Sequence, residues 1–242
     1  RDSSTSRGLG DVYKRQDMSM ASERKAEMQV FHSGDVIVSD RIYNLTLGAT
    51  VLWGVAMNVV LCAFCGDFVA SVNPFIFLIA YFALAFGGQV ISYKSKSPVV
   101  SFIGYNMVVV PVGLVVASVV SYYGGIGAEE VGLAFLFTAI ITGCMISLSI
   151  IYPNFFSRIG GLLFAGLIGL VLSGIVMTFL GIDSYIYSWI GAVIFSLYIG
   201  YDYYVAQRYI KTVDNAVDSA ISIYLDITNL FLHLLRILGR KR

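Results

Sequence analysis

The chain is short of charge, because only 13% of its 242 residues are charged, about half the share found in an ordinary soluble domain. A soluble protein of this length needs more polar side chains to cover its surface, whereas 57% of this chain is hydrophobic. The few basic residues form no continuous basic face and no known module that binds nucleic acid. The composition therefore indicates an integral membrane protein and excludes nucleic acid as a partner.

Cysteine and histidine are scarce as well. The three cysteines include a C-x-x-C formed by Cys62 and Cys65, which ends an apolar stretch and has no second cysteine pair near it. Buried apolar packing explains this pair better than a redox site does. With only His32 and His233 available in the chain, a zinc site has little support, and we expect no cofactor.

Polar residues are concentrated at the start of the chain. Residues 1–40 are predicted to form a polar tail, whose first part (RDSSTSRGLGDVYKRQ) resembles translated vector more than native sequence. No short apolar stretch with a cleavage site precedes the first span, so no signal peptide is expected. Residues 41–242 contain only short connections and are predicted to form a single transmembrane helical domain.

Long apolar runs dominate this second part. A bilayer core of about 30 Å needs about 20 apolar residues in a helix, and such runs occur at 45–65, 74–93, 98–121, 131–152, 159–180 and 185–207. A seventh, shorter and more polar helix is predicted at 219–238. This helix is expected to cross the membrane, to enter and return, or to lie on the inner surface as an amphipathic helix.

The loop cations predict the orientation of the bundle. Alternate loops carry Lys94, Lys96, Arg158, Arg208 and Lys211, whereas the other three loops carry no Lys or Arg. Arg24, Lys25 and Arg41 place the N-terminus on the cationic side. Because cytoplasmic loops are enriched in Lys and Arg, the N-terminus is predicted to be cytoplasmic. The short loops suggest a prokaryotic plasma membrane.

Several residues inside the spans carry packing signals. Ala165, Gly169 and Ser173 place small residues at every fourth position, which allows another helix to approach closely. Pro111 interrupts the third span and is expected to bend it. The polar residues Asn58, Gln89 and Asn106 are expected to form hydrogen bonds between helices, and Asn106 is also a candidate for lining a pore.

Two acids lie within apolar helices rather than in loops: Asp202 (YIGYDYYVAQ) and Asp226 (IYLDITNLF). A carboxylate in hydrocarbon costs about 2.5–3.5 kcal/mol on insertion scales, so such a residue suggests a function. The two acids are separated by the polar segment KTVDNAVD, which is predicted to be a turn. They are therefore expected to reach the same depth and to face each other across an antiparallel hairpin.

Two carboxylates in a low dielectric tend to share a proton, which makes the pair a pH-sensitive latch. Their oxygen atoms suit Ca²⁺ better than softer metals, although two carboxylates alone are an incomplete site. Helical spacing places Ser219, Ser222, Asp226, Asn229, His233 and Arg236 on one face of the last helix. Asn229 and His233 are therefore further candidates for lining a pore.

The segments SFIGYNMVVVPVGLVV and YLDITNLFLHLLRILG, together with the Asp202 motif, resemble the Bax inhibitor family over residues 41–242. The resemblance implies an all-α integral membrane protein, a bundle of seven transmembrane helices with the C-terminal helix at its centre. It also implies a pH-sensitive calcium leak with Asp202 and Asp226 as sensor and gate. Its partners are then the lipid bilayer, protons and Ca²⁺, with Ca²⁺ as the transported ion.

Two features depart from the family pattern. Asp202 is followed by Tyr203 and Tyr204 where the family often has Thr-Gln. Prokaryotic relatives also place an arginine on an early helix as a partner of the acids, where this chain offers only Gln89 and Lys94.

Three other functions were compared with the channel, and they differ in whether they need the buried acids. A proton-coupled transporter of a small solute would use the same pair, and a non-conducting membrane scaffold would not need it. An enzyme is not expected, because Tyr201 and Leu225 precede the two acids where intramembrane aspartyl proteases have glycine.

Overall fold

The computed structural model describes residues 28–29, 36–182 and 185–239. It is helical, and none of the described residues lies in a strand. The helices are α1 (Asp40–Phe64), α2 (Phe68–Ser71), α3 (Pro74–Lys94), α4 (Pro98–Tyr122), α5 (Glu129–Ile151), α6 (Pro153–Leu180), α7 (Tyr185–Ala206) and α8 (Val213–Gly239). Most of the predicted N-terminal tail, including Arg24, Lys25 and His32, falls outside the described residues.

A helix is found at each of the six predicted spans, and α1, α5 and α6 begin earlier than expected. Helix α1 begins at Asp40 because the Ser39 hydroxyl accepts a hydrogen bond from the Ile42 amide at 3.3 Å, which caps the helix. Helix α6 begins at Pro153, a residue suited to the first helical position. Six described helices are long and apolar enough to cross a membrane, namely α1, α3, α4, α5, α6 and α8. Helix α7 has 22 residues, and its tyrosines and Asp202 make it less apolar.

Helix α8 occupies the centre of the bundle, as the resemblance implies. It packs against α7 along most of its length and also contacts α1, α4 and α5. The prediction that this helix is short was wrong, since it has 27 residues and spans about 40 Å. A helix surrounded in this way does not lie on a membrane surface, so that alternative is excluded.

The tightest helix crossing joins α3 and α4. A Cβ atom added to Gly104 would lie 2.5 Å from the backbone oxygen of Gly88, so the two backbones are in direct contact. The small residues of α6 were predicted to allow a similarly close approach, and this prediction was wrong. Ala165 and Gly169 are exposed, and a Cβ added to Gly169 would meet nothing within 4 Å. The cysteines are free thiols, with Cys62 and Cys65 half-buried and Cys144 exposed.

A buried acidic centre on the last helix

Three acids lie on α8, and all three are buried: Asp214, Asp218 and Asp226. Asp214 and Asp218 are four residues apart and share one face of the helix, whereas Asp226 lies about 80° further round it. Asp218 is the most buried of the three, with only 1% of its surface exposed. The most polar stretch of the central helix is therefore also one of its most enclosed.

Asp214 and Asp218 accept hydrogen bonds from serines on two other helices. The Ser101 hydroxyl of α4 donates to Asp214 Oδ1 at 2.6 Å, and the Ser92 hydroxyl of α3 donates to Asp218 Oδ1. Ser101 also lies 3.3 Å from the Ser92 backbone oxygen. Both serines are fully buried. The closely packed α3–α4 pair is thus joined to α8 through two serine–aspartate contacts.

The sequence reasoning missed these two acids. It placed Asp214 in a polar turn, but α8 already begins at Val213, because the Thr212 hydroxyl accepts the Asn215 amide at 3.1 Å and caps the helix. The segment read as a turn is therefore the first part of the central helix. The signals available were a capping threonine, the i, i+4 spacing of the two aspartates, and the lack of Gly or Pro between residues 213 and 226.

Asp202 and Asp226 lie on neighbouring helices. Asp202 is half-buried near the end of α7, and Asp226 is buried near the middle of α8. Gly191 of α7 lies opposite His233 of α8, since a Cβ added to Gly191 would be 2.3 Å from His233 Cε1. Asp226 lies about two turns from His233 along α8, and Asp202 lies about three turns from Gly191 along α7.

The expectation of equal depth took the hairpin to turn at Asp214, whereas the connection between the two helices lies between Ala206 and Val213. That the two carboxylates face each other stays a prediction. Tyr198 precedes Asp202 by one turn of α7 and lies near enough to both acids for their charges to act on it.

The structure places the three candidate pore residues in different surroundings. Asn106 accepts a hydrogen bond from Trp53 Nε1 of α1 at 3.0 Å, which is the helix-to-helix contact expected for it. Asn229 is half-buried and donates to the Leu225 oxygen of its own helix at 2.8 Å. His233 is buried between the rings of Tyr187 and Phe195, each with its centroid 5.6 Å away. Only Asn229 and His233 share a helix with Asp226.

Asn58 confirms its predicted role. Its side-chain oxygen accepts a hydrogen bond from the Tyr224 hydroxyl of α8 at 2.8 Å. The neighbouring Tyr105 of α4 donates to the Thr50 backbone oxygen of α1 at 2.8 Å, and the rings of Tyr105 and Tyr224 meet edge to face. These contacts connect α1 and α4 to α8 near the level of Asp226 but on the other side of the helix.

The loop between α7 and α8 is held by the start of α1. The Tyr43 hydroxyl donates to the Ala206 oxygen at 2.8 Å, and the Lys211 ammonium lies 4.2 Å from the centre of the Tyr43 ring. Burial lowers the pKa of Lys211, an effect that the charge of Asp40 partly opposes. Burial also raises the pKa of Tyr209, and the negative charge of Asp202 raises it further. The loop that joins the two aspartate helices is therefore itself well packed.

The donor set does not resemble a resident metal site. Among the described residues, no group of three or more His, Cys, Asp or Glu side chains could hold a metal ion. Two carboxylates could still interact with a passing divalent cation if water, hydroxyl or carbonyl oxygens completed its shell.

The fold and these buried acids define a polytopic helical membrane protein whose polar centre is built on its last helix. The sequence profile described as "Inhibitor of apoptosis-promoting Bax1" matches residues 37–242. The chain therefore belongs to the Bax inhibitor family, and the resemblance seen in its sequence motifs is confirmed.

Three relatives illustrate the range of similar proteins. An uncharacterized protein of Helicobacter pylori (strain J99) is 31% identical over 172 residues, which cover 67% of this chain and 68% of the relative. An uncharacterized membrane protein of Streptococcus pyogenes serotype M3 is 35% identical over 116 residues, covering 45% and 51%. The Golgi anti-apoptotic protein of vaccinia virus (strain Lister) is 34% identical over 127 residues, covering 52% of each chain. The matches to the last two span about half the length of those proteins.

Proposed function

We propose that this protein is a pH-sensitive calcium leak channel whose gate is the pair Asp202 and Asp226. The observation that supports this most is their arrangement: two acids within the bundle, on the closely packed helices α7 and α8, one half-buried and the other buried. The proposal takes the end of the bundle bearing Lys94, Arg158 and Lys211 to be cytoplasmic, in a prokaryotic plasma membrane.

The chemistry of the gate follows from the cost of charge in a low dielectric. When the pair holds a proton, the two carboxyl groups can share it and keep α7 and α8 together. When both groups are ionised, they repel each other or attract a cation between them. Proton binding and cation passage then compete at one place, which makes the leak depend on pH.

The first part of α8 is joined to two neighbouring helices by hydrogen bonds. Asp214 and Asp218 receive serine hydroxyls from α3 and α4. No arginine lies on α3, so this early helix meets the acids of α8 through the Ser92 hydroxyl and ends in Lys94. Serine hydroxyls are neutral donors, so this chain is proposed to stabilise its closed state with hydrogen bonds where relatives use a cation.

The test is Ca²⁺ flux into liposomes that contain the purified protein, measured from pH 5 to pH 8. We expect the parent flux to change over about two pH units, the range over which a carboxyl group passes from mostly protonated to mostly ionised. Asp202→Asn and Asp226→Asn should each abolish this dependence. Asp67→Asn is the matched control, because Asp67 is an exposed acid that accepts a hydrogen bond from Ser121 away from α7 and α8.

The other outcomes separate the remaining functions. No Ca²⁺ flux above that of empty liposomes at any pH would reject the leak. Proton flux that requires a small solute would instead support a proton-coupled transporter, in which the same pair carries the proton. Flux that is unchanged in both Asn variants would exclude the pair as the gate.

A further inference from the structure

The loop between α7 and α8, residues 207–212, forms backbone hydrogen bonds with the chain that precedes α1. The Ile210 amide donates to the Met28 oxygen at 2.9 Å, and the Val38 amide donates to the Lys211 oxygen at 2.8 Å. Met28 and Val38 are ten positions apart in the chain, yet they bind adjacent residues of the loop. We call Met28 and Val38 together the N-terminal clamp.

The side chain of Asn215 connects this clamp to the central helix. Asn215 is buried in the first turn of α8. Its side-chain nitrogen donates to the Ile210 oxygen at 2.9 Å and to the Met28 oxygen at 3.5 Å. A carbonyl oxygen has two lone pairs, so the Met28 oxygen accepts from the loop and from α8 together. Three parts of the chain therefore meet at one carbonyl group.

The N-terminal clamp is packed into the bundle rather than laid over its surface. Only 4% of Met28 is exposed. Val38 packs against the buried cluster that contains Tyr43 of α1, Ala206 of α7 and Val217 of α8. Buried backbone groups that lose their partners cost free energy, so a loop that moves away from the clamp leaves unsatisfied groups behind. The clamp thus opposes movement of the loop.

The start of α1 strengthens this hold on the loop. The Gln207 side-chain nitrogen donates to the Asn44 side-chain oxygen at 2.8 Å, and the Lys211 ammonium donates to the Gln207 backbone oxygen at 2.9 Å. The loop is therefore bound both where it leaves α7 and close to where it enters α8. It is also the direct covalent link between the helices that carry Asp202 and Asp226.

We propose that the N-terminal clamp is an autoinhibitory contact that keeps the loop end of the α7–α8 hairpin closed. Asp202 lies only four residues before Ala206, the last residue of α7. A movement of this end of α7 that opens the gate therefore also displaces the loop, and the bonds to the clamp must break. The effect on flux rests on the proposed function, whereas the clamp itself can be detected without flux.

The flux experiment compares two neighbouring proline variants in liposomes. Val38→Pro removes the amide that donates to Lys211. Ile37→Pro is the matched control, because Ile37 is exposed and its amide donates to no backbone oxygen among the described residues. Loss of a neutral hydrogen bond shifts an equilibrium by about threefold to tenfold. Val38→Pro should therefore raise the Ca²⁺ leak at least threefold at the pH where the parent leaks least, and Ile37→Pro should leave it unchanged.

Amide hydrogen exchange tests the clamp independently of flux. The Ile210 amide donates its hydrogen bond to the clamp, so it should exchange at least threefold faster in Val38→Pro and at the parent rate in Ile37→Pro. The Gln207 amide donates instead to the Tyr203 oxygen at the end of α7, at 3.1 Å. It should exchange at one rate in all three proteins, which separates release of the clamp from general unfolding.

The remaining outcomes have distinct meanings. If the Ile210 amide of the parent exchanges as fast as an unstructured amide, the clamp does not exist and the inference is overturned. Faster exchange in Val38→Pro without more flux than in Ile37→Pro would reject autoinhibition. If the parent shows no Ca²⁺ flux, the proposed function fails, while the exchange rate of Ile210 still decides whether the clamp forms.

A second variant covers the case in which Val38→Pro does not fold. Asn215→Leu has a side chain of similar size but cannot donate to the Met28 and Ile210 oxygens. The backbone amide of residue 215 still reaches the Thr212 hydroxyl, so the cap of α8 is kept. Asn215→Leu must accelerate exchange of the Ile210 amide and raise the leak, each by at least threefold. Parent values in both measurements would overturn the inference.

Discussion

Helices α6 and α8 contrast in where they lie and in what they contain. Helix α6 is the most apolar of the six candidate spans and the least buried, with 11% of its most apolar window inside the protein. Helix α8 is the least apolar of the six and the most buried, with 56% of its window inside. In a soluble protein the most apolar helix would instead be the most buried one.

This difference between α6 and α8 arises because lipid, rather than water, surrounds the bundle. Lipid tails are as apolar as leucine, so a leucine gains little by leaving lipid for the interior of the protein. Polar groups gain much more, because an acid facing lipid has no partner. Hydrogen bonds and close backbone contacts therefore organise the centre of this bundle, while apolar residues such as Leu162 and Phe179 face outward.

The strongest test of this contrast replaces one glycine in each region. Gly104→Ala would place a Cβ atom 2.5 Å from the Gly88 oxygen and 2.8 Å from the Ser92 nitrogen, so the α3–α4 backbones must separate. We expect a loss of about 1–3 kcal/mol in unfolding free energy. Gly169→Ala on α6 meets nothing within 4 Å and should be neutral or stabilising by up to about 1 kcal/mol. Unfolding in mixed micelles measures both, and equal losses would contradict the contrast.

A smaller effect is expected when a serine hydroxyl is removed from each region. Ser92→Ala takes a hydrogen bond from the buried Asp218 and should cost about 1–2 kcal/mol. Ser173→Ala on α6 removes a hydroxyl that donates to the Leu170 oxygen of its own helix at 3.0 Å. That change should lie within about 0.5 kcal/mol of the parent. If the α6 variant is the less stable of the two, polar contacts do not organise the centre as described.

The sequence was sufficient to predict the helices, their approximate ends and the family. Apolar runs longer than 20 residues are strong signals, and the C-terminal motif YLDITNLFLHLLRILG is specific. The burial of Asp226 inside the bundle could also be predicted, because an acid that faces lipid is costly. These predictions depend on residues that are close in the chain.

The missed features depend on residues that are distant in the chain. Asp218 looks like a solvated loop residue until Ser92, 126 positions earlier, is found to donate to it. The close approach of Gly88 and Gly104 cannot be distinguished from the exposed Gly169 by spacing alone. The true start of α8 at Val213 was concealed by the polarity of KTVDNAVD.

The smallest effect is expected on the pH dependence of stability, when the tyrosine before each of the helices α8 and α6 is replaced. These tyrosines are Tyr209, before α8, and Tyr152, before α6. Burial, followed by the charge of Asp202, raises the pKa of Tyr209, so the folded protein keeps a proton that the unfolded chain loses near pH 10. Stability that is present below about pH 10 is therefore lost as the pH rises above it. The loss amounts to at most about 1.4 kcal/mol at pH 11.

Tyr209→Phe should remove this loss, so its melting temperature should fall less steeply than that of the parent between about pH 10 and pH 11. The lowered pKa of Lys211 acts in the opposite direction, because the unfolded chain then binds more protons and stability rises with pH. Lys211 is present in both proteins, so its contribution cancels in the comparison. Tyr152 is 59% exposed, and Tyr152→Phe should follow the parent at every pH. A slope for Tyr209→Phe that equals the parent slope would show that the α7–α8 loop opens to water in alkaline solution before the bundle unfolds.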